Sequence, residues 1–497
     1  MQPKHLFAAV DLGSNSFRLE IGQLEAGHLR RVEYHKETVR QGNGLDAERN
    51  LTNDAMQRGW ACLARFGERL AGFRPAHVRA VATQTLREAR NREVFLQEAR
   101  RILGFPIEVI TGREEARLIY MGVSHLLPQS DERRLVVDIG GRSTEFILGQ
   151  GHEAQTLESY RVGSVAWSMK YFPNGVWTPA TFRTAEVAAK AILDEATSLY
   201  PRHAWDTAYG SSGTIGAVSD ILLAAGWPEG LVTREALDWL QERLIKAQKP
   251  ERLQLEGLKD ERRPVIGGGL AVLRAVFDLL QIDEMRPAQG ALRHGALFDL
   301  IDRENPEADV RSGKVDWLAR RFGADPAQAE RVGRTAAVLL RQIASSAEPE
   351  RQLRKLQWAA RLHEIGMHIA HSDHHKHGAY ILENTDMLGF TVDELHRLGL
   401  LVLGHRGKLR KLELVLDDLD FVVQLLALRL GVILCHARRD PQIEGLSLSL
   451  DARYQTFHLN LPDGWAALYP QSAHLLREEC NAWQKTAWGF ALHEAQP

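Results

Sequence analysis

Cysteine is nearly missing: Cys62, Cys435 and Cys480 are the only three in 497 residues. They are far apart and odd in number, which excludes a disulfide framework and a paired-cysteine metal site and points to a reducing, cytoplasmic setting. Net charge is scarce as well. Lys and Arg number 62 against 64 Asp and Glu, a formal −2, so no global positive field draws the chain onto nucleic acid or an acidic membrane. Any polyanion must meet a local basic patch. Long apolar runs are also lacking. The most apolar window, 421–437, is interrupted by Gln424 and Arg429 and falls short of the ~20 residues needed to span a bilayer. It reads as a buried helix, with no stable membrane insertion. The opening 1–13 carries one lysine, a short apolar run and then Asp11. It is charged too soon for a secretion signal and reads as a strand.

What is present has a clear order. Residues 7–11 are a short apolar run ending in Gly13-Ser14-Asn15-Ser16, 17–24 alternate, and 29–38 again read as extended. Thr52-Asn53-Asp54 can cap a helix reaching Leu70, and 78–82 and 107–110 are β-rich runs, each followed by a helical pattern. The same order restarts at Arg134, with strands at 135–138 and 145–148, a helix at 184–200, a strand at 207–209 and helices to Ile301. Val10-Asp11-Leu12-Gly13-Ser14-Asn15-Ser16 matches Val137-Asp138-Ile139-Gly140-Gly141-Arg142-Ser143 at a constant offset of 127, and Gly22-Gln23 and Gly149-Gln150 continue the match. So long a period means two domains rather than a solenoid. Two α/β domains, 1–127 and 128–301, with a cleft between them are expected. The turn-rich stretch 302–314, with Asn305-Pro306-Glu307 and Ser312-Gly313, opens a helical domain over 302–442. Period-two alternation at 446–450 and 456–460 places a small α/β tail at 443–497.

In each half an aspartate ends a buried strand and a Gly/Ser turn follows, so successive backbone N–H groups can converge on an anion. Gly140 and Gly141 allow that approach, and Ser14, Asn15, Ser16, Ser143 and Thr144 add donors. One such turn usually just joins a hairpin; two in register carry the phosphate reading. A third, with Ser212, Gly213 and Thr214, follows a strand and opens a helix, where amides favour phosphate. Thr111-Gly112-Arg113-Glu114-Glu115 puts two carboxylates in the first turn of a helix. Adjacent helical residues point ~100° apart, so at most one faces a cleft, and either could be a general base. Asp138 and Glu145, seven apart across a strand-turn-strand, suit a hard ion such as Mg²⁺, with Mn²⁺ as a substitute and Asp11 as a further ligand. Arg87, after a strand, could fork onto a phosphate. A phosphohydrolase needs these parts.

These segments, with Gly112 to Tyr120, Val137 to Glu145, Ser212-Gly213-Thr214 and Gly290-Ala291-Leu292-Arg293-His294-Gly295, resemble the Ppx/GppA family of exopolyphosphatases and guanosine pentaphosphatases over essentially the whole chain. The resemblance implies the actin and sugar-kinase (ribonuclease H-like) fold twice over, Glu115 as the base, Asp138 and Glu145 as metal ligands, and a homodimer. One position departs: Arg142 stands where the family usually has a third glycine.

His363-Glu364 is similar to the His-Asp metal signature of HD-type phosphohydrolases, with glutamate replacing the aspartate, so an HD-like helical domain is expected and its metal is in doubt. His368, His371, His374, His375 and His377 crowd one stretch that reads as a loop. It could bind metal, contact a polyanion or simply be solvated, and the basic run Arg397, His405, Arg406, Lys408, Arg410 and Lys411 favours the polyanion. The run from His374 to Tyr380 looks closer to the exopolyphosphatase branch. Release of terminal orthophosphate from inorganic polyphosphate is therefore the first expectation, and hydrolysis of guanosine pentaphosphate (pppGpp) the alternative.

Overall fold

The computed structural model describes residues 6–25, 28–304, 309–344 and 349–494 in two compact units, Met1–Asp309 and Val310–Pro497. In the first unit, β1 (Leu6–Leu12), β2 (Phe17–Glu25) and β3 (His28–Glu37) form an antiparallel meander, and β4 (Val78–Ala82) and β5 (Ile107–Val109) add parallel to β1, in the order β3-β2-β1-β4-β5. Both faces of β1 are covered, which is why it reads as an unbroken apolar run. Helix α1 (Asn53–Arg69) starts where the Thr52 hydroxyl accepts the Ala55 N–H, the cap its sequence announces. It is followed by α2 (Gln84–Glu88), α3 (Arg92–Leu103) and α4 (Gly112–Leu126).

The second half repeats the design with β6 (Arg133–Ile139), β7 (Thr144–Gln150), β8 (Glu153–Tyr160), β9 (Thr207–Ser211), β10 (Val232–Thr233) and β11 (Glu284–Pro287), in the order β10-β11-β9-β6-β7-β8. The hairpins β1–β2 and β6–β7 correspond strand for strand. Asp11 stands opposite Arg18 and Asp138 opposite Glu145, which are the same two places in the repeat. One half therefore carries a guanidinium where the other carries a carboxylate. The expected helix 184–200 starts earlier, at Pro179, because Thr178 and Thr181 close a capping box; it ends at Leu193, with a separate turn at Ala196–Leu199. Helix Leu292–Glu304 returns to the first half and packs on α4 and β1. Gly295 lies so close to the Leu118 carbonyl that any Cβ would overlap it. Residues placed with the second domain by sequence order thus cover the first sheet, where Phe7, Ala9, Ala296, Leu297 and Leu300 cluster.

Asn305-Pro306-Glu307 of the expected linker lies outside the described residues. Ser312-Gly313, read as a turn, is helical within Val310–Arg321, whose Val315, Leu318 and Ala319 provide a buried face. In the second unit the apolar window forms helix Leu419–Leu434. Its two interrupting residues are satisfied inside: Gln424 donates to the Gln352 carbonyl at 2.7 Å, and Arg429 donates to the Gly404 carbonyl at 2.6 Å and pairs with Glu479. Among the described residues no helix is long and apolar enough to cross a membrane. Strands β12 (Ser447–Asp451), β13 (Thr456–Leu461) and β14 (Gly489–Glu494) share one core with the helices. The histidine stretch is no loop from 374 onward, since His374–Glu383 is a helix. His374 and His375 are buried with His363 and His405, and the His405 ring lies 5.3 Å from those of both His363 and His374. His405 therefore adds nothing to a basic surface. Among the described residues no three His, Cys, Asp or Glu side chains are grouped so as to hold a metal ion.

Candidate active site

A cavity of about 290 Å³ opens in the first unit where β1 and β6 end, lined by Asp11, Ser14, Asn15 and Ser16 from one turn and by Asp138, Gly140, Gly141 and Ser143 from the other. Carboxyl ends of central strands are where open α/β sheets leave a crevice. The turns face each other closely: a Cβ on Gly141 would stand 3.0 Å from that of Ser14. The first turn is held by the Gly42 N–H, which donates to the Ser14 carbonyl at 2.7 Å, and by Arg40, which donates to that of Asn15 at 2.9 Å. The second is closed by the Gly140 N–H donating to the Ser143 carbonyl at 2.9 Å, and Ser164 and Val165 donate to the Gly140 and Gly141 carbonyls. The third turn also lines the cavity, through Ser212, Gly213 and Thr214. Ser212 sits at φ 94, a strained value for a side-chain-bearing residue at the start of a helix.

Three expected residues are set back from the cavity lining. The Thr144 hydroxyl donates to the Val162 carbonyl at 2.6 Å, so it braces β7 and offers nothing to a ligand. Arg87 spends its hydrogen bonds on Gln84 Oε1 (3.0 and 2.7 Å) and the Ile110 carbonyl (2.9 Å), and its Nη2 lies 2.8 Å from Glu115 Oε2. It backs a carboxylate rather than forking onto phosphate. Glu145 is buried, accepting from Ser159 Oγ at 2.7 Å through Oε1 while Oε2 has no hydrogen-bond partner.

The paired glutamates separate cleanly. Glu114 is fully buried, accepting from Arg117 Nε and Nη2 at 2.8 Å each and from Arg79 at 3.3 Å, in a network completed by Asp299. Glu115 lines the cavity, and its Oε2, beside Arg87, has no aligned hydrogen bond. Burial raises the Glu115 carboxyl above the ordinary range; Arg87 opposes the rise and Asp11 adds to it. Burial, with the Glu115 and Asp11 charges adding, pushes Asp138 up to about 7, and burial with Glu115 and Asp138 raises Glu145 well above its usual value. Asp138 and Glu145 are the two carboxylates that could hold a hard cation here; no third His, Cys, Asp or Glu among the described residues joins them in a metal-holding group, so an ion such as Mg²⁺ would complete its shell with water and phosphate oxygens.

Cations stand opposite. Arg18 donates to Asp11 at 2.9 Å, and Lys36, Arg262 and Arg293 also line the cavity. Gly213 lacks the Cβ that would overlap the Arg262 guanidinium. Tyr34 lines the same cavity, with the Arg293 guanidinium 4.9 Å and that of Arg31 5.4 Å from its ring centre. Arg293 stands in the Gly290–Gly295 run quoted above, whereas Arg18, Lys36, Arg262 and Tyr34 were not singled out from sequence. Arg18 had a signal, because carrying the 127-residue alignment two positions past Ser16 sets it against Glu145.

With the geometry placed, comparison with known proteins is decisive. The model of the Ppx/GppA phosphatase family matches residues 21–304, and that of the family's domain III matches 310–480. The chain belongs to the Ppx/GppA phosphatase family. Membership makes it a hydrolase. Relatives named guanosine-5′-triphosphate,3′-diphosphate pyrophosphatase are 39% identical in Aeromonas hydrophila, covering 100% of both chains, and 38% identical in Vibrio cholerae, covering 98% of both. The crystal structure of the Aquifex aeolicus member of the Ppx/GppA family matches at TM-score 0.51 and 25% identity, covering 61% of this chain and 99% of its own. The two-domain α/β architecture with an added helical domain is that of the family.

Proposed function

We propose that this Ppx/GppA phosphatase hydrolyses the terminal 5′-phosphoric anhydride of pppGpp, giving guanosine tetraphosphate and orthophosphate. The full-length similarity to pyrophosphatases named for that nucleotide weighs for it over the polyphosphate reading, which rested on the basic run from Arg397 to Lys411 and on the run His374 to Tyr380. The observation that carries the chemistry is Glu115: one carboxylate of an adjacent pair lines the cavity of the two phosphate turns with Arg87 at its back, while the other is locked away. Its raised pKa makes it a stronger base than an ordinary carboxylate. In this reading Glu115 takes a proton from a water in line with the γ-phosphorus, the new P–O bond forms from that water, and the P–O bond to the β-phosphate bridge breaks. Backbone N–H groups of the Asp11–Ser16 and Asp138–Ser143 turns hold the phosphate oxygens. Asp138 and Glu145, with Asp11 nearby, would hold Mg²⁺, which when bound spreads the negative charge of the phosphate oxygens. Arg18, Lys36 and Arg262 would take the remaining phosphates, and Tyr34 under Arg293 offers a stacking surface for a purine.

The test is competition: equal concentrations of pppGpp and long-chain polyphosphate, with Mg²⁺, and products resolved by chromatography. Guanosine tetraphosphate should form well ahead of polyphosphate shortening. The reverse order would return the assignment to exopolyphosphatase.

A further inference from the structure

Arg142 occupies the second phosphate turn at the place matched by Asn15 in the first. Its φ lies outside the left-handed region, so the turn accepts a side chain there without strain. That side chain leaves its own half. Nη1 donates to the Gly42 carbonyl at 3.0 Å, and Nε and Nη2 donate to Glu88 Oε2 at 3.1 and 2.8 Å. Both contacts lie in the first half, and both lead on to site groups. Gly42 donates its N–H to Ser14 of the first phosphate turn. Glu88 Oε1 accepts from Gln84 Nε2 at 2.7 Å, Gln84 Oε1 accepts from Arg87, and Arg87 stands 2.8 Å from Glu115.

The polarity of this chain is forced. A carboxylate only accepts and a guanidinium only donates, so the Gln84 amide has one usable orientation between Glu88 and Arg87. Arg87 is thereby fixed beside Glu115. From this we infer that Arg142 is a positioning residue: it latches the second half onto the first and, through Glu88, Gln84 and Arg87, orients the Glu115 carboxylate. The inference rests on Glu115 as the base. It gives Arg142 a role that works through another group rather than on substrate.

Glu88→Gln is the sharpest probe, because it keeps the volume and breaks the logic. Arg142 donates to Oε2 and Gln84 to Oε1, and an amide sets an NH2 group in place of one of those two oxygens, so either the latch opens or Gln84 turns an N–H against Arg87. Arg142→Ala removes the latch outright, and Arg142→Lys keeps one donor of it. With pppGpp and Mg²⁺, Arg142→Ala and Glu88→Gln should each lower kcat about ten-fold with KM within two-fold. The double variant should be no slower than either single, since both cut one chain, and Arg142→Lys should recover part of the loss. Melting measured alongside reads any purely structural effect. Wild-type kcat, a change confined to KM or to melting, or multiplicative losses in the double variant would overturn the latch. Glu115→Gln run in parallel separates the two claims. If it keeps turnover, the base reading fails; if it loses turnover while Arg142→Ala and Glu88→Gln match the wild type, the latch alone fails.

Discussion

Asp138→Asn gives a thermodynamic handle on the carboxylate cluster that needs no turnover. In the folded chain Asp138 is pushed up to about 7 from an ordinary 3.8. Between those values the folded state keeps a proton that the unfolded state has released, so stability falls as pH rises through the window. The whole interval is worth about 4 kcal/mol. Asparagine does not titrate, so relative to wild type the variant should gain that amount between pH 4 and pH 8.5 in metal-free buffer. Titrations away from the cluster, including those of the buried histidines, are common to both proteins and cancel; Glu145, which the Asp138 charge helps raise, is relieved in the variant and adds to its gain. For a unit of this size the gain corresponds to a relative melting shift on the order of 8 °C. Adding Mg²⁺ at pH 8.5 should reverse the order, because a cation relieves the crowding in wild type and finds one ligand fewer in the variant. Full-length proteins melted with EDTA at both pH values, then with Mg²⁺, provide the assay. An unchanged gap between variant and wild type across pH would refute the crowding, and no melting response of wild type to Mg²⁺ would refute the cation site.

Arg117→Met should destabilise the full chain by about 3–5 kcal/mol, the usual result of stranding buried charge, because Glu114 and Asp299 both lose a partner; denaturant titration reads it. Acid should loosen the second unit before the first. His363 is held down to about 4 by burial, so below 6.5 the unfolded chain binds a proton that the folded chain refuses, and stability falls as pH drops toward 4, by about 3 kcal/mol for this side chain. Burial also lowers His375 and His405. Hydrogen exchange at pH 7 and 4.5 should show amides of 310–494 losing protection first.

How much of this was legible in the sequence follows the range of the interactions involved. Hairpins and caps are local, so the repeated Asp-x-Gly turns and the Thr52 cap could be read directly, and the 127-residue offset correctly implied two similar halves around a cleft. Choosing between Glu114 and Glu115 needs Arg79 and Asp299, which arrive from other elements, and spacing alone left the pair open. Lys36, Arg262 and Arg293 come from three distant segments with no shared pattern. Ser312-Gly313 and the histidine stretch were read from turn propensity and polarity, and both were overridden by tertiary burial of helical faces. Thr144 was misread because a hydroxyl beside a phosphate turn can serve the backbone just as well, and sequence does not show where it points.

The central claim is that Glu115 activates water in this cleft. Single-turnover phosphate release from pppGpp by Glu115→Gln measures it most directly. Turnover should fall about 10²–10⁴-fold, the range for losing a general base, with nucleotide affinity and melting retained. Phosphate release within ten-fold of wild type would contradict it.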